Sequence, residues 1–173
     1  MVEFESPPPI AVNVMPSVLQ HPSFFSTVQN KLSIWDLAPA KLALEIGEPR
    51  ILHDDRNTIG LLNALREFGI TIVIDEFGTG NASLEKFREL PADEIKIDRK
   101  FITNLSENAD DQRITDTIID LAHKFSRTVV ADGVEDAEAF GYLLEAGCDV
   151  GQGFYLGAAL NESQFAGLLS DLA

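Results

Sequence analysis

Short apolar runs alternate along the chain with longer segments whose apolar residues recur at helical spacing. The apolar runs predict six strands, at residues 10–14, 42–46, 71–75, 94–98, 128–132 and 150–156. Unbroken β-branched runs such as Ile72-Val73-Ile74 are typical of strands that are covered on both faces. The segments between and after them predict helices at residues 16–32, 54–68, 83–90, 112–125, 137–146 and 162–172. Repeated alternation of this kind predicts an α/β protein with a parallel sheet and right-handed crossovers.

Polar side chains stand at or near the carboxyl end of every predicted strand. They are Asn13, Glu45, Asp75, Glu76, Lys96, Asp98, Asp132 and Gln152. Because burying unpaired charges in a sheet is costly, their repeated placement predicts one shared polar site. Carboxylate and amide oxygens suit Mg²⁺ or Mn²⁺, and the lack of a histidine among them argues against zinc.

Two adjacent carboxylates, Asp75 and Glu76, end the strand at 71–75 and precede Phe77-Gly78-Thr79-Gly80. Adjacent carboxylates repel each other unless a cation holds them, which favours a metal site. In α/β barrels, the carboxyl ends of the strands are also where catalytic groups stand. The alternative is that the pair caps a turn and the glycines form a loop. The residues alone leave both interpretations open.

Composition narrows the class of protein. The 173 residues suffice for one domain, and 13 basic against 28 acidic residues give a net charge of −15. This acidity argues against a nucleic acid polymer as a partner. The single cysteine, Cys148, excludes an internal disulfide and favours a reducing compartment. With no apolar run near the ~18 residues of a membrane span and no secretory signal, we expect a cytoplasmic protein.

Six motifs in order carry a resemblance to a known family. They are AVNV at 11–14, LEIGE at 44–48, DEFGTG at 75–80, LPADEIKIDRKF at 90–101, VVADGVED at 129–136 and GCDVGQGFYL at 147–156. In these motifs the chain resembles the EAL-domain family of cyclic di-GMP phosphodiesterases. The resemblance implies a (β/α)₈ barrel of the TIM type, two Mg²⁺ or Mn²⁺ ions, and hydrolysis of cyclic di-GMP to linear pGpG.

The resemblance also implies roles for individual residues. The implied metal ligands are Asn13, Glu45, Asp75, Glu76 and Asp132. The implied catalytic residues are Lys96, which contacts the nucleophilic water in the family, Asp132 and Glu135. The implied ligand-binding residues are Asp98, Gln152 and Glu48, the last of which helps to hold the loop after Phe77.

The chain also departs from the family pattern. The Glu-Ala-Leu motif is absent and about six of eight βα units are present, so we expect an incomplete (β/α)₈ barrel. Residues 1–9 form a proline-rich arm in this interpretation, and residues 10–173 form a truncated EAL-like domain. Glu76 replaces an Asp and Asp132 replaces a Glu, while Ala158-Ala159 replaces a basic residue and a proline. Exchanging Asp and Glu moves a carboxylate by about one C–C bond, which upsets a metal site.

Two functional hypotheses follow. The first is a metal-dependent phosphodiesterase, either a fragment of a longer enzyme or one completed by another chain. The second is a non-catalytic descendant that binds cyclic di-GMP as a receptor, or only a protein partner. The departures favour weak or absent activity in this chain. The strands at 10–14 and 150–156 would be open edges, which predicts a homo-oligomer or a partner chain that completes the barrel.

Overall fold

The computed structural model describes residues 8–48, 56–80 and 83–171. Within them, one parallel sheet holds six strands in chain order. The strands are β1 (Ile10–Asn13), β2 (Leu42–Gly47), β3 (Thr71–Phe77), β4 (Glu94–Ile97), β5 (Thr128–Asp132) and β6 (Val150–Gln152). The predicted α/β class, strand number and strand order are confirmed.

Helices connect successive strands and also follow the last one. They are α1 (Pro16–Leu19), α2 (Phe24–Ile34), α3 (Arg56–Phe68), α4 (Leu84–Glu89), α5 (Arg99–Ile102), α6 (Ala109–Lys124), α7 (Ala137–Glu145) and α8 (Glu162–Asp171), with a 3₁₀ turn at Pro39–Lys41. The predicted helix at 16–32 is divided because Pro22 disfavours helical backbone in the residue before it. The predicted helix start at Asp54-Asp55 and most of the predicted arm lie outside the described residues.

Side-chain caps set where several helices begin. Asn108 accepts hydrogen bonds from the backbone N–H groups of Asp110 and Asp111, so α6 begins three residues before the predicted position. Asn161 and Gln164 each accept a hydrogen bond from the other's backbone N–H, as a capping box does, so Asn161 caps α8. No helix in the described part of the chain is long and apolar enough to cross a membrane.

The hydrophobic core lies along the central strands. Ile46, Ile72, Ile74, Ile95 and Ile97 are fully buried, as are Leu62 and Leu65 of α3. By contrast, all residues of β1 and β6 are exposed, and each of these strands pairs with only one neighbour among the described residues. The described sheet is therefore an open segment of an α/β barrel with its core at the middle strands.

Three predicted strands end earlier than expected: β1 ends at Asn13 rather than at residue 14, and the early ends of β4 and β6 have local causes. β6 ends at Gln152 rather than at residue 156, because the chain passes so close to Val134 that a Cβ on Gly153 would lie 2.2 Å from the Val134 carbonyl oxygen. β4 ends at Ile97 rather than at Asp98, because the Asp98 carboxylate accepts a hydrogen bond from Lys100 N–H and caps α5. The short helix α5 was not predicted.

Candidate functional site at the carboxyl edge of the sheet

Strand register brings most of the predicted polar residues to one edge. Asn13 of β1 lies opposite Glu45 of β2, and Asp132 of β5 lies opposite Gln152 of β6. Asp75 pairs with Gly47, two residues beyond Glu45 on β2. Because parallel strands end on the same side, these side chains share the carboxyl edge where α/β barrels carry their chemistry.

Lys96 forms the centre of this edge. Its ammonium nitrogen Nζ donates a hydrogen bond to Glu45 Oε2 at 3.1 Å and lies 3.9 Å from Asp75 Oδ1. Only 6% of the residue is exposed. Burial alone would lower the pKa of Lys96, but attraction to Asp75, Glu45 and Asp132 outweighs it and raises the pKa above its ordinary value. Lys96 is therefore a fixed positive charge within a ring of carboxylates.

Asp75 and Glu76 lie near the end of β3, where a turn from Glu76 to Thr79 begins. The backbone N–H of Glu76 donates to Asp75 Oδ1 at 2.8 Å, and the Glu76 carbonyl accepts from Thr79 N–H and from the Thr79 hydroxyl. Glu76 has a φ of 56°, in the left-handed region that a glutamate rarely adopts. Glu76 therefore begins the turn, while the Asp75 carboxylate approaches Lys96.

The loop that follows is held by Glu48. This glutamate is 1% exposed, and its Oε2 accepts a hydrogen bond from Gly78 N–H at 2.7 Å. Gly78 has a φ of 91°, and a Cβ there would lie 2.8 Å from the ring of Phe101. The loop after Phe77 is therefore fixed both by a buried charge-assisted hydrogen bond and by close packing.

A cleft of about 330 Å³ lies beside this ring of carboxylates, between the ends of β5 and β6. The cleft is lined by Arg99, Asp132, Glu135, Gln152 and Phe154, with Ala158 and Ala159 on its wall. The cleft thus contains three of the predicted site residues. It also contains Arg99 and Phe154, which lie within two of the quoted motifs but were assigned no role from the sequence. The predicted ligand residue Asp98 instead uses its carboxylate to cap α5.

A divalent cation requires several oxygen ligands around one point. In residues 8–48, 56–80 and 83–171, no three His, Cys, Asp or Glu side chains are grouped so that they could hold a metal ion. Glu45 and Asp75 instead contact the ammonium of Lys96. The oxygen donors suit a hard cation, and in this arrangement Lys96 holds two of them.

Comparison with known proteins identifies relatives. The family model described as EAL domain matches residues 1–159. The cyclic di-GMP phosphodiesterase NbdA of Pseudomonas aeruginosa is 39% identical over 145 residues, which are 84% of this chain and 18% of that protein. The bifunctional diguanylate cyclase/cyclic di-GMP phosphodiesterase MucR of the same organism is 37% identical over 155 residues, 90% of this chain and 23% of that protein. The chain thus spans about a fifth of the length of the curated relatives that it matches.

Solved structures agree with the fold. A PaMucR phosphodiesterase structure in complex with c-di-GMP superimposes with a TM-score of 0.87 at 36% identity, covering 91% of this chain and 64% of that chain. A Klebsiella pneumoniae BlrP1 structure, a complex with manganese and cyclic di-GMP, gives a TM-score of 0.78 at 28% identity, covering 84% of this chain and 38% of that chain. The agreement confirms the predicted incomplete α/β barrel.

Proposed function

The chain belongs to the EAL domain family, and we propose that it binds cyclic di-GMP in its carboxyl-edge cleft and hydrolyses it weakly or not at all. The observation that carries this proposal is the contact of Lys96 with Glu45 and Asp75 beside an accessible cleft. A relative supports cyclic di-GMP as the ligand, since a solved structure of PaMucR phosphodiesterase is a complex with c-di-GMP.

Weak hydrolysis is supported by the state of the predicted catalytic groups. Two of the carboxylates that the resemblance assigns to metal binding contact a buried lysine. A third predicted metal ligand, the carboxylate of Glu76, belongs to a residue whose backbone is in the left-handed region. Metal ligands must be held within fractions of an ångström, and in this arrangement Lys96 competes with a divalent ion for Glu45 and Asp75. We therefore assign this chain the receptor role in preference to the catalytic one.

A divalent metal still belongs to the proposal as an aid to binding. The BlrP1 complexes with cyclic di-GMP contain manganese or calcium. At this edge the carboxylates of Glu45, Asp75 and Asp132 surround the ammonium of Lys96. A phosphodiester anion that approaches the edge is therefore repelled by these carboxylates. Added Mn²⁺ or Mg²⁺ would reduce the repulsion between these carboxylates and the phosphates, so we expect it to strengthen binding.

Titration with fluorescently labelled cyclic di-GMP, with Mn²⁺ or with a chelator, tests the proposal. We expect saturable binding that is tighter with Mn²⁺ and that falls about fivefold in Gln152→Ala, because the variant removes one hydrogen-bonding group from the cleft. Gln29→Ala, an exposed glutamine on α2 outside the cleft, is the matched control and should bind as the unaltered chain does. If the unaltered chain binds labelled cyclic di-GMP neither with Mn²⁺ nor with the chelator, the proposal is contradicted.

The exposed edge strands favour a second candidate function, which is association with another copy or with a partner chain. Ile10 and Val12 of β1 are 58% and 44% exposed, and Val150 of β6 is 46% exposed. Apolar strands with one unpaired edge are templates for further strand pairing. Light scattering at micromolar concentration should therefore show a species larger than the monomer. A monodisperse monomer whose β1 and β6 amides are strongly protected from hydrogen exchange would refute this.

A further inference from the structure

The last strand of the described sheet has little burial to hold it in place. All three residues of β6 are exposed, and a glycine stands on each side of Gln152. Glycine weakens a strand, because it brings no side chain to the packing. Gln152 nevertheless lies opposite Asp132 and lines the cleft with it. The position of Gln152 therefore depends on contacts other than burial.

Backbone contacts hold the carboxyl end of β6. The Gln152 carbonyl accepts hydrogen bonds from the backbone N–H groups of Gly133 and Val134, at 2.8 and 3.0 Å. The chain at Gly153 also passes close to the backbone of Val134. These contacts fix one end of a three-residue strand, and a fixed orientation requires that the amino end is held as well.

A side-chain clasp holds the amino end of β6. It consists of the Asp149 carboxylate, the backbone N–H of Val129 on β5 and the imidazole of His123 on α6. Val129 N–H donates to Asp149 Oδ2 at 2.7 Å, and His123 Nε2 lies 2.9 Å from the same oxygen. Asp149 directly precedes β6, so the clasp ties the start of this strand to both the neighbouring strand and a helix.

An equivalent arrangement occurs at the amino end of β4. There Asp93 Oδ2 accepts from Ile72 N–H at 2.9 Å, and Asp93 Oδ1 accepts from Arg66 Nη2 at 2.8 Å. Arg66 and His123 each stand six residues before the strand N–H of their arrangement. The two places differ in burial, since both isoleucines of β4 are fully buried and every residue of β6 is exposed. The core therefore holds β4 independently of its aspartate, and β6 lacks this support.

Building on the proposed function, we infer that Asp149 is a positioning residue for Gln152 in the ligand cleft. Asp149 lies at the opposite end of β6 from Gln152, so it acts through the placement of the strand. Without the clasp, β6 spends part of its time away from β5, and the apparent affinity for the ligand falls in proportion to the fraction that remains in place. Because the effect passes through Gln152, it is limited to the roughly fivefold loss expected in Gln152→Ala.

Binding of labelled cyclic di-GMP to four variants tests this role. We expect Asp149→Ala to bind about threefold more weakly than the unaltered chain. The same change in the Gln152→Ala background should cause no further loss, because the side chain that the clasp positions is then absent. Asp93→Ala is the matched control, since it removes the equivalent contacts at β4. It should lower the midpoint of urea denaturation at least as much as Asp149→Ala does, and leave the affinity unchanged.

Amide hydrogen exchange gives a readout that needs no nucleotide. The N–H groups of Gly133 and Val134 donate to the Gln152 carbonyl, so they should exchange faster in Asp149→Ala and not in Asp93→Ala. His123→Ala removes only the contact with α6, at a side chain that is 41% exposed, and should give a smaller change of the same kind. This variant tests the inference if Asp149→Ala does not fold.

The outcomes that would overturn the inference are distinguishable from failure of the proposed function. An unchanged affinity in Asp149→Ala, an equal loss in Asp93→Ala, or a further loss in the Gln152→Ala background would show that Asp149 does not act through Gln152. Unchanged exchange at Gly133 and Val134 in both clasp variants would show the same. Absence of binding to the unaltered chain would refute the proposed function, while the exchange rates would still decide whether the clasp sets the position of Gln152.

Discussion

Replacing Lys96 by methionine should strongly destabilise the protein. The substitution keeps most of the side-chain volume but removes the ammonium that donates to Glu45 and lies near Asp75. The side chains of Lys96, Glu45 and Asp75 are 8%, 11% and 21% exposed, so the two carboxylates that remain have little access to water. The change therefore leaves buried negative charges without a counter-charge.

The expected cost follows from that burial. Removing one partner of a fully buried ion pair costs about 3–5 kcal/mol. Because Asp75 retains some contact with water, we expect the free energy of unfolding to fall by about 3 kcal/mol in Lys96→Met. The double variant Lys96→Met/Glu45→Gln removes one of the two stranded charges as well. It should therefore be more stable than Lys96→Met alone, with a coupling energy of about 1 kcal/mol or more.

Urea denaturation of the unaltered chain, both single variants and the double variant measures these quantities. The pKa of Lys96 is raised above its ordinary value of 10.5, so its stabilising contribution is complete below that pH and is lost as pH rises through the raised value. The stability difference between the unaltered chain and Lys96→Met should thus be constant at neutral pH and narrow only in strong alkali. Strictly additive single and double variants, or a Lys96→Met variant of undiminished stability, would refute the reasoning.

Two further predictions concern stability. Glu76→Gly should raise the free energy of unfolding by about 0.5–1 kcal/mol, because glycine adopts the left-handed φ of 56° without steric cost; a lower thermal midpoint would contradict this. Asp149→Asn should lower stability by about 1 kcal/mol at neutral pH, after allowance for exposure, because Asp149 Oδ2 accepts from Val129 N–H at 2.7 Å and lies 2.9 Å from His123 Nε2. Burial alone would raise the pKa of Asp149, but hydrogen bonds and charge from these partners lower this pKa below its ordinary 3.8. The stability difference between the unaltered chain and Asp149→Asn should therefore disappear as pH falls through the lowered pKa. A difference that grows in acid would contradict this.

The strands could be predicted because their signal is local. Ile72, Val73 and Ile74 are buried on both faces of β3, and such a strand needs an unbroken apolar run that is visible in the sequence. The convergence of Lys96 with Asp75 was predictable for a related reason. Parallel strands that follow one another in the sheet must end on the same side, so polar residues at their carboxyl ends are brought together.

The remaining features depend on contacts between distant segments. The left-handed backbone of Glu76 lies where the register between β3 and β4 shifts. It could not be predicted, because glutamate has no preference for this backbone conformation. The sequence predicted Asp98 as the last residue of a strand, two positions after Lys96 and on the same face. In the structure its carboxylate instead accepts a hydrogen bond from the backbone N–H of Lys100 and caps α5. The pairing of Arg99 with Glu135 requires α5 to pass close to Gly133, which only the folded chain reveals.

We propose that the chain binds cyclic di-GMP but does not hydrolyse it efficiently. A single-turnover experiment tests it most directly, with the 173-residue chain in excess over cyclic di-GMP, at a concentration above the measured dissociation constant, and with Mn²⁺ present. Formation of pGpG would be followed by chromatography beside the phosphodiesterase domain of MucR under the same conditions. We expect bound cyclic di-GMP to remain largely intact after the MucR domain has consumed its own substrate. Conversion to pGpG at a rate comparable to that of the MucR domain would contradict the account.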